Sequence, residues 1–210
     1  MHKKPHLPAS TLLIVIMSVI MGCSVIAYGQ PGDVYAVHPN QQVEVTSLPS
    51  IVASSDSEHA VLATSLETVI MEPDICCDRD SALEAQIPPA RNLSLKDLGE
   101  KFRGKHSLGT GLSIEIADQY WSGASVTVGD ILAALKAQQP LLIDWNGHLY
   151  VLYGAVFDDY IYNNGTLLHV LKTLSLIDTR YSDQRRYVSF NRQTDDWGKI
   201  GGLLKLTITR

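Results

Sequence analysis

The chain is poor in cysteine, in aromatic residues and in excess positive charge. Of its 210 residues only three are cysteine (Cys23, Cys76 and Cys77), too few for a small fold stapled by disulfides. Aromatic side chains make up 7% and are not interleaved with basic ones, which argues against stacking on single-stranded nucleic acid. Lys and Arg number 17 against 22 Asp and Glu, so the chain lacks the basic surplus that displaces counterions from a phosphate backbone. No G-x-x-x-x-G-K-[ST] and no G-x-G-x-x-G is present, so nucleotide binding has no support. There is no C-x-x-C, and two adjacent cysteines cannot readily face one tetrahedral centre, so neither a metal nor a cofactor is expected. What is present is 45% hydrophobic residues, enough to bury a core in one ordinary domain with an appendage.

The appendage stands at the N-terminus. Lys3 and Lys4 precede an uncharged run from Thr11 to Ala27, dense in Leu, Ile, Val and Met. A basic segment followed by such a run reads as a secretory signal. Three fates compete, in this order. Cleavage after Ala27-Tyr28-Gly29 leaves Gln30 first; Ile20-Met21-Gly22-Cys23 is similar to a lipoprotein box; and the run, short for a membrane span, stays as an anchor. Each places the remainder outside the cytoplasm, in periplasm or extracellular space, with membrane contact only through this segment. Loss of residues 1–29 removes Lys3 and Lys4 and no acid, taking the formal charge from −5 to −7.

Residues 30–65 hold Pro31, Pro39, Pro49 and a Ser-rich stretch, and read as a tether or weakly ordered arm with a strand near Val43–Val45. From 66 to 210 the pattern is that of a domain. Asp78–Gln86 predicts a short helix stopped by Pro88-Pro89. Ser94 is placed to cap a second, with Leu95, Leu98 and Phe102 on one face. Gly104 to Gly111 reads as loop. Thr127-Val128-Gly129-Asp130 opens a third helix with a capping box, Asp replacing the usual Glu, and Pro140 ends it near Ala137. Strands follow at Leu141–Trp145, His148–Phe157, Thr166–Asp178 and Leu203–Thr209, with Asn164-Gly165 as a two-residue hairpin turn. Helices first and antiparallel strands second predict an α+β fold.

Three side chains are candidates for chemistry. Cys77 directly precedes the first predicted helix, whose N-terminal N–H groups and dipole favour thiolate and can hold an oxyanion. Asp78 and Asp80 oppose that thiolate. A buried, inert thiol is the competing reading. His148, at the start of a rigid strand, is the candidate base. The other histidines of the mature chain (His38, His59, His106 and His169) lie in tether, loop or hairpin contexts. Asp178 ends a strand and is the candidate orienter, with Asn146, Asp183 and Asn191 as rivals. With a two-residue turn at Asn164-Gly165, Asp178 comes opposite Val151 and so on the face away from His148. A longer loop or one bulge brings it opposite Tyr150, on the face of His148.

Cys77-Asp78-Arg79-Asp80-Ser81-Ala82-Leu83, the helix Asp130–Gln138 followed by Gln139-Pro140-Leu141-Leu142-Ile143, and Gly147-His148-Leu149-Tyr150-Val151-Leu152-Tyr153-Gly154-Ala155 stand in one order along the chain. Together with Ile177-Asp178-Thr179 they resemble papain-like cysteine peptidases, in particular the bacterial branch of bacteriocin-processing double-glycine peptidases. The resemblance covers residues 68–209. It implies N-terminal helices packed on a C-terminal antiparallel sheet, and a peptide or protein substrate attacked by Cys77, with His148 as base then acid and Asp178 orienting it. Three departures stand out. The family's oxyanion Gln is missing from Val69–Ile75, Asp78-Arg79 replaces its Gly-Pro, and Cys76 rivals Cys77 as nucleophile. Loss of one oxyanion donor costs about 10²–10³ in rate. A non-catalytic envelope binding module and a thiol acyltransferase or amidase are therefore the alternatives.

Overall fold

A computed structural model describes residues 33–46, 48, 53, 58–70, 94–107, 113–181, 185–190 and 197–209. Three α-helices and eight strands are formed by these residues: β1 (Val34–Glu44), α1 (Glu58–Ile70), α2 (Leu95–Phe102), β2 (Gly104–Ser107), β3 (Ser113–Ser122), α3 (Val128–Lys136), β4 (Leu141–Trp145), β5 (His148–Tyr162), β6 (Leu167–Ile177), β7 (Arg185–Ser189) and β8 (Ile200–Thr209). The strands make one sheet in the order β2-β3-β8-β4-β5-β6-β7, with every pairing antiparallel. The fold is thus mixed, helices on an antiparallel sheet.

β5 organises the sheet. Its 15 residues outrun its neighbours. Along one edge β4 pairs with His148–Leu152, and β1 then takes over that edge from Gly154 to Tyr162. β6 runs along the other edge. β4 lies between β5 and β8 and is buried on both faces, which is why it reads as a continuous apolar run instead of an alternating one. Leu141, Ile143 and Trp145 meet Ile131, Leu132 and Leu135 of α3 on one face. Leu142, Val151 and Leu204 meet Leu66 of α1 and Leu98 and Phe102 of α2 on the other.

The helix signals at Ser94 and Thr127 act as read. Ser94 accepts from the Asp97 amide, and Thr127 and Asp130 form both bonds of a capping box ahead of α3. The arm reading of residues 30–65 is corrected. Residues 34–44 form a strand hydrogen-bonded to β5, and residues 58–70 form α1. Pro39 is accommodated in this strand because the register slips between His38 and Gln41, so the missing N–H falls at a bulge. Gln138, at φ 57, ties the same strand to the end of α3 by accepting from the Thr46 amide and donating to the Glu44 carbonyl. Gly104–Ser107, read as loop, is β2. Among the described residues no helix is long and apolar enough to cross a membrane.

Candidate functional site

His148 is the first residue of β5 and is exposed. Two features fix its place. Asn146 (φ 55) and Gly147 (φ 79) both adopt left-handed conformations, as a type I′ turn requires, so β4 and β5 form a tight hairpin in which Trp145 pairs with His148. The Gly147 amide donates to Asp144 Oδ1 at 2.9 Å and the Asn146 amide to the Lys199 carbonyl at 2.6 Å, which pins the turn to the residue just before β8. Trp145 is buried and packs on Phe190 at 5.4 Å between ring centroids, and Phe190 on Trp197 at the same distance. The imidazole therefore stands at the rim of an aromatic wall. Among the described residues no hydrogen bond or ion pair reaches its ring.

The β5–β6 turn differs from expectation in a way that matters for Asp178. Tyr162 donates to the Thr166 carbonyl, so Asn163, Asn164 and Gly165 make a three-residue loop, with Gly165 at φ 79. Two further irregularities, one between Leu152 and Gly154 and one between Val156 and Phe157, put an extra residue on opposite strands and cancel. Ile177 consequently pairs with Val151, and the next position, Asp178, falls opposite Tyr150, two residues from His148 and on its face.

Asp178 does not use this position to hold His148. Its side chain is fully buried, its oxygens accept from Arg180 Nε and Nη2, both at 2.8 Å, and Oδ2 forms an ion pair with Arg186 Nη2 at 3.1 Å. Burial pushes the carboxyl up, but the Arg180 bonds and the charges of both guanidiniums outweigh it and hold the carboxyl below its ordinary value. The Arg180 guanidinium is raised by the same bonds. Both guanidiniums lie over the Tyr150 ring, each 5.9 Å from its centroid. The residue after the carboxylate, Thr179, is buried against α1 through a 2.9 Å contact between its hydroxyl and that of Ser65.

Cys76, Cys77, the helix expected over Asp78–Gln86, and the rival orienters Asp183 and Asn191 lie outside the described residues, as do residues 1–32. Asn146 is taken up in the type I′ turn. Of the other histidines, His106 bonds the Phe102 carbonyl at 2.8 Å. His169 bonds Asp159 through Nδ1, its ring edge-on to Phe157, and Asp159 is also the pairing partner of His38 across β1. That carboxylate–imidazole pair escaped the sequence reading for the same reason as the Asp178 register: only a three-residue loop sets His169 opposite Asp159. It lies 11 residues along β5 from His148, about 35 Å at strand rise. The roles of Arg180 and Arg186 escaped the sequence reading as well; two arginines following a strand-ending Asp were the available signal.

Among the described residues no group of three or more His, Cys, Asp or Glu is placed to hold a metal ion. No family model, curated protein or solved structure matches the chain.

Proposed function

We propose that the protein is an exported thiol hydrolase of papain-like arrangement that cleaves peptide bonds with Cys77 and His148 and without a cofactor. The observation that carries the reading is the position of His148: an exposed imidazole held by a type I′ turn at the head of the central strand, with no competing partner among the described residues. In that reading His148 takes the Cys77 proton, the thiolate attacks the scissile carbonyl, and the imidazolium returns the proton to the leaving amine. A water then releases the acyl group from sulfur, again with His148 as base. The Cys77 amide serves as one oxyanion donor. Asp178 shares the face of His148, but its carboxylate is occupied by two arginines, so the Cys77–His148 pair carries the chemistry and Asp178 is given no bond to the imidazole. The N-terminal apolar run directs export and is the chain's one contact with the membrane.

The test is the rate of iodoacetamide labelling at each cysteine of the full chain, located by mass spectrometry. Cys77 should react faster than Cys76 near pH 7, and His148→Ala should slow Cys77 without changing Cys76. Equal rates in both proteins remove the reason to regard the thiol as activated.

A second reading, a non-catalytic envelope binding module, is favoured by one observation: the carboxylate best placed to orient His148 is bound elsewhere. Unchanged Cys77 labelling in His148→Ala is the outcome that selects it.

A further inference from the structure

We infer that Arg186, set by Asp178 and Tyr150 beside His148, is a carboxylate-binding subsite. Asp178 is one negative charge facing two positive ones, so the buried cluster carries a surplus positive charge. Geometry says which arginine holds it. Arg180 uses Nε and Nη2 on both Asp178 oxygens, a closed fork with 25% of its side chain exposed. Arg186 meets Asp178 through one Nη2 ion-pair contact at 3.1 Å, is 44% exposed, and has no hydrogen bond or ion pair at Nε or Nη1 among the described residues. Each of these N–H groups is a charge-assisted donor that a carboxylate can accept from.

The guanidinium is also preorganised. It is held at one end by a carboxylate with no exposed surface and lies over a Tyr150 ring that is 5% exposed. A side chain held in this way loses little conformational freedom on binding. Tyr150 is two residues from His148 on the same strand face, a strand repeat of about 7 Å. A peptide whose backbone passes His148 can therefore reach Arg186 with a carboxylate one or two residues away. The chemical class is a peptide carboxylate, from either a free C-terminus or a Glu or Asp side chain. The inference rests on the peptide-binding part of the proposed function.

The experiment is titration of the full chain, in detergent micelles, with three peptides. These are acetyl-triglycine with a free C-terminus, acetyl-triglycyl-glutamate amide, and its glutamine counterpart as neutral control. Binding is followed by the Nε–Hε signal of Arg186 in nitrogen-15 NMR. One or both carboxylate peptides should bind roughly fivefold or more tightly than the glutamine peptide and move the Arg186 signal, and whichever does so identifies the source. The preference should vanish in Arg186→Ala and in 0.5 M salt, and persist in part in Arg186→Lys. Arg186→Gln serves if the alanine variant is unfolded by circular dichroism. Equal affinity for all three peptides, binding of none, or tighter carboxylate binding that leaves the Arg186 signal still and survives Arg186→Ala overturns the inference. Cys77 labelling reports on the thiol chemistry separately: a carboxylate preference with an unactivated thiol leaves the subsite standing and refutes the hydrolase.

Discussion

Asp178→Asn perturbs the cluster at its centre. The substitution keeps the shape and removes the charge. Two Arg180 bonds at 2.8 Å and one Arg186 contact at 3.1 Å then end on a neutral amide. Breaking a buried ion pair costs about 3–5 kcal/mol when the charge left behind stays desolvated. Here the charges left behind are 25% and 44% exposed and regain water, so the expected loss is smaller, about 2–3 kcal/mol at pH 7. The pH dependence has a definite sign. The folded carboxyl sits below its ordinary value, so its contribution is complete above the unfolded value of about 3.9 and disappears as pH falls through the folded one. Urea unfolding of the full chain followed by far-ultraviolet circular dichroism, from pH 7 to pH 2, measures both. The gap between the two proteins should be widest at neutral pH and close on acidification below about pH 4. A gap under about 0.5 kcal/mol at pH 7, or one that does not change down to pH 2, refutes the assignment of Asp178 as a buried, ionised anchor.

Three further perturbations test other parts of the fold. Burial, with the Tyr187 phenol close by, pushes the Tyr153 phenol up to about 12, and its hydroxyl makes no hydrogen bond of good geometry among the described residues. Its contribution is therefore present below about pH 10 and lost as pH rises through about 12; Tyr153→Phe should equal or exceed the parent in stability at pH 7, by up to about 1 kcal/mol, and should lose less in an alkaline urea series. A Cβ at Gly123, in the turn after β3, would overlap the carbonyl of Ile200, so Gly123→Ala should force β8 to shift and cost about 1–3 kcal/mol in the same unfolding assay. Thr127→Ala removes the reciprocal capping bonds of α3 and should cost about 1 kcal/mol, with Thr127→Ser recovering most of it.

Where local chemistry decides conformation, the sequence was legible. The caps at Ser94 and Thr127, the stop at Pro140 and the apolar β4 follow from side-chain bonds and burial, and all appear in the fold. Pairing was harder to read. β1 contains Pro39, two glutamines and exposed Val34 and Val37, a composition that does not distinguish an arm from a strand; what makes it a strand is the free edge that the long β5 offers beyond β4. The two Asn-Gly sequences show the same limit from the other side. At Asn146-Gly147 the flanking strands meet at once and a two-residue turn forms, whereas at Asn164-Gly165 the pairing of Tyr162 with Thr166 draws Asn163 into the loop. One residue of difference moves Asp178 to the other face of the sheet. His148 stands at the strand start as expected, while Asp178 shares its face yet serves Arg180, two residues on, and Arg186, which only the pairing of β7 with β6 brings to it.

The central claim is that a cysteine thiol and the His148 imidazole form a reacting pair. The most direct measurement is a crystal structure of the full chain that fixes Cys77 Sγ and the His148 ring together. The account predicts a sulfur-to-nitrogen distance within about 4 Å, with the sulfur open to a peptide. A separation beyond about 6 Å, or a sulfur enclosed by packed side chains, contradicts it.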